Sequence, residues 1–159
     1  MEAWHLLEFK KIVQFLKTDP KARYQGYSFY FREGFCWIDV NSTYLKARVK
    51  ANGVFDVLSM SLFSMTKIPD FYYVSLINSE LISLYVDAFI NNTSHFQIND
   101  ARQLPVIIPN EEELRTITSI FENAVNAKQD SLTRENFSEE KLSCLQKKLD
   151  EFVLQMYRI

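Results

Sequence analysis

INSELISLYVDAFINNTSHFQINDARQLPVIIP, residues 77–109, reads as a helix, a polar break and a short strand-like exit. Leu81, Leu84, Tyr85 and Ala88 recur at threes and fours, which predicts one face of a helix. Asn78 or Ser79 suits its start, because a short side-chain oxygen accepts an orphan amide of the first turn. Asn91-Asn92-Thr93-Ser94 ends it, since four short polar side chains compete for backbone hydrogen bonds. His95-Phe96-Gln97-Ile98 alternates polar and apolar as a half-buried strand does, and Gln103–Pro109 is an apolar run bracketed by prolines. The polar patch from Asn91 to Gln97, held between two apolar elements, has the makings of a recognition surface.

Upstream, Met1–Lys17 is amphipathic and predicts a helix over 2–17, stopped by Thr18-Asp19-Pro20 because proline cannot continue it. Tyr27–Val40 alternates around Glu33-Gly34, which predicts a hairpin with Tyr27, Phe29 and Phe31 sharing a core face. Tyr44–Lys50 alternates again and sets Lys46, Arg48 and Lys50 on one face of a strand, Leu45, Ala47 and Val49 on the other. Asn52-Gly53 is a turn signal, Val54–Phe63 a third strand, and Pro69-Asp70 opens a helix. Downstream, Glu111, Glu112 and Glu113 begin a helix to about residue 130, with a stripe of Leu114, Ile117, Ile120, Phe121 and Val125. Ser138 caps another, whose seam is Leu142, Leu145, Leu149, Phe152, Val153 and Met156. The fold class expected is α+β: a small, mostly antiparallel sheet packed by helices, then a C-terminal helical hairpin. Its division is a core over 1–109 and a helical arm over 110–159.

The chain of 159 residues is long enough to bury a core without a disulfide or metal staple. Cys36 and Cys144 fit no ligand spacing, and a reduced, cytoplasmic setting is expected. No signal peptide is expected at Met1–Phe9, and no apolar run reaches a membrane-spanning length. Net charge is −2, but residues 1–50 carry 9 Lys/Arg against 5 Asp/Glu, while the other two stretches, 51–109 and 110–159, are each acidic. A phosphate-facing surface therefore belongs to the first third, since phosphate neutralisation drives most non-specific DNA binding.

Catalytic signatures are missing. Three glycines supply no phosphate loop, and there is no Pro-Pro of the adenine-methyltransferase tetrapeptide. Pro69-Asp70 with Glu80 lacks the clustered carboxylates that hold nuclease magnesium. His5 and His95 are the two histidines, too few for a metal site. No enzyme activity is expected of this chain alone.

Several pieces together carry a resemblance: Ile77-Asn78-Ser79, the run Ile90–Gln97, Asn99-Asp100-Ala101-Arg102-Gln103-Leu104-Pro105, and Pro109-Asn110-Glu111-Glu112-Glu113. In this order and spacing they resemble the Taq-type C-terminal target-recognition domain of restriction-modification DNA methyltransferases, over roughly Tyr24 to the end. The ending Leu149-Asp150, Val153, Met156-Tyr157 is similar to the "ID-x-x-V-x-x-LYGL" close of type II restriction-modification enzymes, with Arg158-Ile159 where Gly-Leu is usual. The resemblance implies a bacterial, cytoplasmic, double-stranded DNA reader. It also implies an upstream domain that holds S-adenosylmethionine and methylates adenine, and it leaves open a nuclease fused upstream. No cofactor is expected on this chain.

The residues that would do the reading follow from chemistry. Lys46, Arg48 and Lys50 would position phosphates, with Arg48 reaching a guanine edge; Arg23 and Arg32 are further cations of this kind. The plainer reading of that row is a solvated edge-strand face, because lysines on edges block aggregation. Asn92, Ser94 and Gln97 would read base edges, amides suiting adenine, and the plainer reading is helix capping and turn formation. His95 is either a DNA contact or a structural hydrogen-bonder. The alternative function is a protein-interaction module that docks a partner subunit through the C-terminal helices.

Overall fold

The computed structural model describes residues 3–21, 26–38, 45–51, 53–54, 59–93, 95–133 and 139–159. It is α+β, a three-stranded antiparallel sheet with helices and a C-terminal helical pair. Two units separate, Met1–Tyr30 and Phe31–Ile159.

In the first unit, α1 spans Ala3–Thr18. It ends as expected: the Thr18 hydroxyl donates to the Gln14 and Phe15 carbonyls at 3.1 and 3.0 Å, and Pro20 offers no amide to continue. Tyr27–Phe29 form a single 3-10 turn, with the Lys17 ammonium 4.9 Å from the Tyr27 ring centre. This corrects the expected hairpin. Gly26 (φ 69°) and Phe31 (φ 62°) hold left-handed conformations at either end of the aromatic run, which no continuous strand allows. Tyr27 and Phe31 are exposed, so the run is not a core face.

The second unit holds the sheet, in the order β2-β1-β3, from β1 (Gly34–Ile38), β2 (Ala47–Lys50) and β3 (Ser59–Leu62). Trp37 stands opposite Ala47 and Met60, and Cys36 opposite Arg48 and Ser61. Alternation therefore puts Phe35, Trp37, Ala47 and Val49 on the inner face with the core. Arg48, Lys50, Cys36 and Ser61 share the outer face. Gly34 is required where it stands, since an added Cβ would lie 2.6 Å from the Leu62 carbonyl oxygen and the Phe63 ring.

Helices α2 (Asp70–Ile77) and α3 (Glu80–Tyr85) cover the inner face and bend by 64° between them. Asn78-Ser79 makes the break, and the Ser79 oxygen caps α3 by accepting from the Ile82 amide. The expected face of Leu81, Leu84, Tyr85 and Ala88 is corrected. Ile82, Ser83 and Val86 are the buried residues, while Leu84 is 56% exposed. A π-helical turn, Val86–Ile90, ends the helix, and its Asn91 amide bonds the Val86 carbonyl at 2.8 Å. His95–Ile98 is not a strand: His95 makes a single bridge, and Ile98–Ala101 is the short helix α4. The run to Pro109 is extended chain outside the sheet. Its Pro105 and Ile107 carbonyls accept from the hydroxyls of Tyr157 and Tyr72.

The C-terminal pair is α5 (Glu111–Thr133) and α6 (Glu139–Met156). Asn110 caps α5, its oxygen accepting from the Glu112 and Glu113 amides at 2.9 Å, while the Glu113 carboxylate accepts from the Asn110 amide at 2.8 Å. The expected Ser138 cap lies outside the described residues. A second core joins this pair to α2 through Tyr72, Leu76, Ile117, Leu149, Val153 and Met156. Burial raises the pKa of the Tyr72 and Tyr157 hydroxyls, so both stay neutral hydrogen-bond donors. Among the described residues no single helix is long and apolar enough to cross a membrane.

Candidate nucleic-acid interface

The polar loop after the π-turn is built around one side chain. The Asn91 amide nitrogen donates to the His95 carbonyl (2.7 Å) and the Asp100 carboxylate (3.0 Å). Its oxygen accepts from the Thr93 amide (2.9 Å) and the Thr93 hydroxyl (2.7 Å). Both polar ends of Asn91 are thus used within the loop, which makes it an organiser and not a reader. Asp100 fixes the far side by accepting from the Gln97 amide at 2.8 Å. Phe96, 3% exposed, pins the middle: its ring packs at 5.6 Å from that of Trp37, and its carbonyl accepts the Trp37 indole N–H at 2.9 Å. Asn92, His95 and Gln97 are exposed, Gln97 at the N-cap of α4 in a capping box with Asp100. Ser94 lies outside the described residues.

The cationic row has a different support. Lys46 and Arg48 are exposed, and Lys50 is half-buried, on the outer face of the edge strand β2. Lys50 reaches across β1 to donate to the Ser61 hydroxyl at 3.3 Å, and desolvation there lowers its pKa. Cys36, 2% exposed, lies beneath the row as Arg48's cross-strand partner. Arg32 is exposed, its guanidinium 6.0 Å from the Phe63 ring centre. Arg23 lies outside the described residues. The row and the loop meet at one end of the sheet, where Trp37 opposes Ala47, but they belong to opposite faces. Lys46 is the cation nearest the loop in register, while Arg48 and Lys50 lead away from it.

Two further features escaped the sequence reading. Asn78 bonds the backbone of Ala47 at both ends, closing part of the β2 edge. Beside that edge runs a groove of about 530 Å³, lined by β2, α2, α5 and α6. No signal in the sequence shows either, because both join residues distant along the chain. Among the described residues no three His, Cys, Asp or Glu side chains gather as metal ligands do. No protein-family model and no curated protein matches this chain.

Proposed function

We propose that this chain is the target-recognition part of an adenine-specific restriction-modification methyltransferase, reading double-stranded DNA and doing no chemistry by itself. The observation that carries the reading is the pinned loop. Asn91, Asp100 and Phe96 fix its backbone, so Asn92, His95 and Gln97 are presented on a rigid support, as base readers must be. The lysine and arginine row at the adjoining sheet end would hold phosphates and set the register. An upstream domain would bind S-adenosylmethionine and flip the adenine. A further support is position 158, where the resembling ending has glycine: it holds a left-handed conformation, φ 57°, that glycine suits. The competing reading, docking through the C-terminal helices, is weakened because Leu149, Val153 and Met156 are buried in this chain's own core.

The test is retention of random duplex DNA at low salt, followed by sequencing of what is held. The expected result is one enriched motif of several base pairs, lost on Gln97→Ala and weakened without change of motif on Lys46→Ala. No retention at low salt, where phosphate contacts are strongest, would overturn the reading.

A further inference from the structure

In an antiparallel strand the N–H and C=O of one residue point to the same side, and successive residues alternate. The Ala47 N–H and C=O both meet the side chain of Asn78, so they point away from β1. The Leu45 N–H, two residues earlier, points the same way and meets the Ser83 hydroxyl at 3.3 Å. By the same alternation Val49 turns its N–H and C=O outward. Among the described residues nothing pairs with either group, and Val49 is half-buried. The edge of β2 is therefore closed at two outward positions and open at the third.

The open position faces the groove of about 530 Å³. Its apolar lining includes Val74, Phe121, Leu145 and Leu149, and its charged lining residues, Arg48 and Lys128, are both cationic. Unpaired strand groups beside an apolar groove are the arrangement by which one chain adds a strand to another's sheet. We propose that β2 accepts a fourth strand from a partner protein, an extended segment in which apolar and acidic residues alternate. The period of two fixes that pattern. Side chains of the added strand on the inner side enter the groove, and those on the outer side stand against Arg48 and Lys50, where carboxylates are the favoured cross-strand neighbours. Asn78 stops the added strand at Ala47 and so sets its register. The site is separate from the Asn91 loop but shares Arg48 and Lys50 with the row proposed to hold phosphates, so peptide and duplex compete for those two side chains and duplex binding is not needed for the strand to add.

The probe is acetyl-Asp-Leu-Asp-Val-Asp-Leu-Asp-amide, titrated into the full chain labelled with ¹⁵N. The expected result is a downfield shift of the Val49 amide and about tenfold slower exchange of its proton at saturation. The same peptide N-methylated at its central residue is expected to lose both effects. So is the folded Ala124→Trp chain, in which the new ring occupies the groove that Ala124 lines. A saturating peptide that leaves Val49 exchange unchanged would overturn the proposal, as would equal binding of the N-methylated peptide. Protection of Val49 by duplex DNA and not by the peptide would assign the edge to nucleic acid and overturn it also.

Discussion

The side chain of Asn78 stands in for a strand at the edge of the sheet: it accepts from the Ala47 N–H at 2.6 Å and donates to the Ala47 C=O at 2.9 Å. An amide is the one small group that offers a donor and an acceptor at the spacing of a peptide unit. The carbonyl of Asn78 is itself bonded by Gln146 of α6 at 3.0 Å, so one residue links the sheet, the α2–α3 break and the C-terminal pair.

Asn78→Ala is expected to cost roughly 1–3 kcal/mol, the net worth of two hydrogen bonds whose backbone ends stay half-buried. Asn78→Asp is expected to cost at least as much, because it keeps the acceptor but sets a carboxylate oxygen against the Ala47 carbonyl. Urea midpoints for the three chains check this. An aspartate variant as stable as the parent would show that the bond to the carbonyl contributes nothing.

Trp37 does two things for the candidate interface: it fills the inner face and ties down Phe96. Trp37→Phe keeps much of the ring and removes the indole donor, so the buried Phe96 carbonyl loses its partner at 2.9 Å. The expected loss is about 1–2 kcal/mol. Amide exchange at Phe96 and Gln97 should quicken more than exchange in α5. Uniform quickening would mean that the tie acts on the whole fold and not on the loop.

Helices α5 and α6 were legible in the sequence because each buries one stripe and leaves the rest in water, the condition under which period 3.6 shows. Helix α3 was not, because it meets two cores. Ile82 and Val86 face the sheet, Leu81 packs towards the C-terminal pair, and the exposed Leu84 is indistinguishable from them by composition. The alternation at Lys46–Lys50 predicted its faces correctly, since a sheet with one packed face writes period two into the chain. The aromatic run at Tyr27–Phe31 carried the same signal without the fold, because two left-handed residues break it. For the loop, the polar composition of Asn91–Gln97 was plain, but the split between organiser and presented residues depends on Asp100 and Trp37.

Helix α6 closes with a left-handed residue. The Arg158 amide bonds the Gln155 carbonyl at 3.0 Å, and the Ile159 amide bonds the Leu154 carbonyl at 3.2 Å, the paired bonds of a Schellman end. Arg158→Gly is expected to stabilise by about 0.5–1 kcal/mol, since glycine adopts this φ without the clash of a Cβ. Arg158→Ala should gain nothing, and equal gains from both would point to the lost charge instead. Thermal midpoints suffice to separate them.

Asp70 opens α2 and accepts from the Ser64 amide at 2.8 Å, yet burial outweighs that bond and raises its pKa. A carboxyl whose folded pKa lies above its unfolded value binds more protons folded. Its contribution is therefore most favourable below the unfolded pKa and is lost as pH rises through the folded one. Asp70→Asn should remove that decline. Denaturation midpoints across the acid range should fall less with rising pH in the variant, and parallel curves would refute the assignment.

Asn91 gives the sharpest test of the loop. Asn91→Asp keeps the oxygen that Thr93 uses, but it deletes both N–H donors and sets a carboxylate about 3 Å from that of Asp100. At neutral pH the two charges repel, so the turn should open and the amides of His95 and Gln97 should exchange faster than in the parent. Protonating one member of the pair restores a donor between them, so the variant's loop should tighten as pH falls through the carboxylate range. Asn91→Ala has no such charge and should stay loose at every pH. If duplex retention tracks this order, with the aspartate variant recovering binding in acid and the alanine variant not, then the fixed backbone of the loop is what DNA reading depends on. Retention that ignores both substitutions would move the contact surface away from residues 91–97.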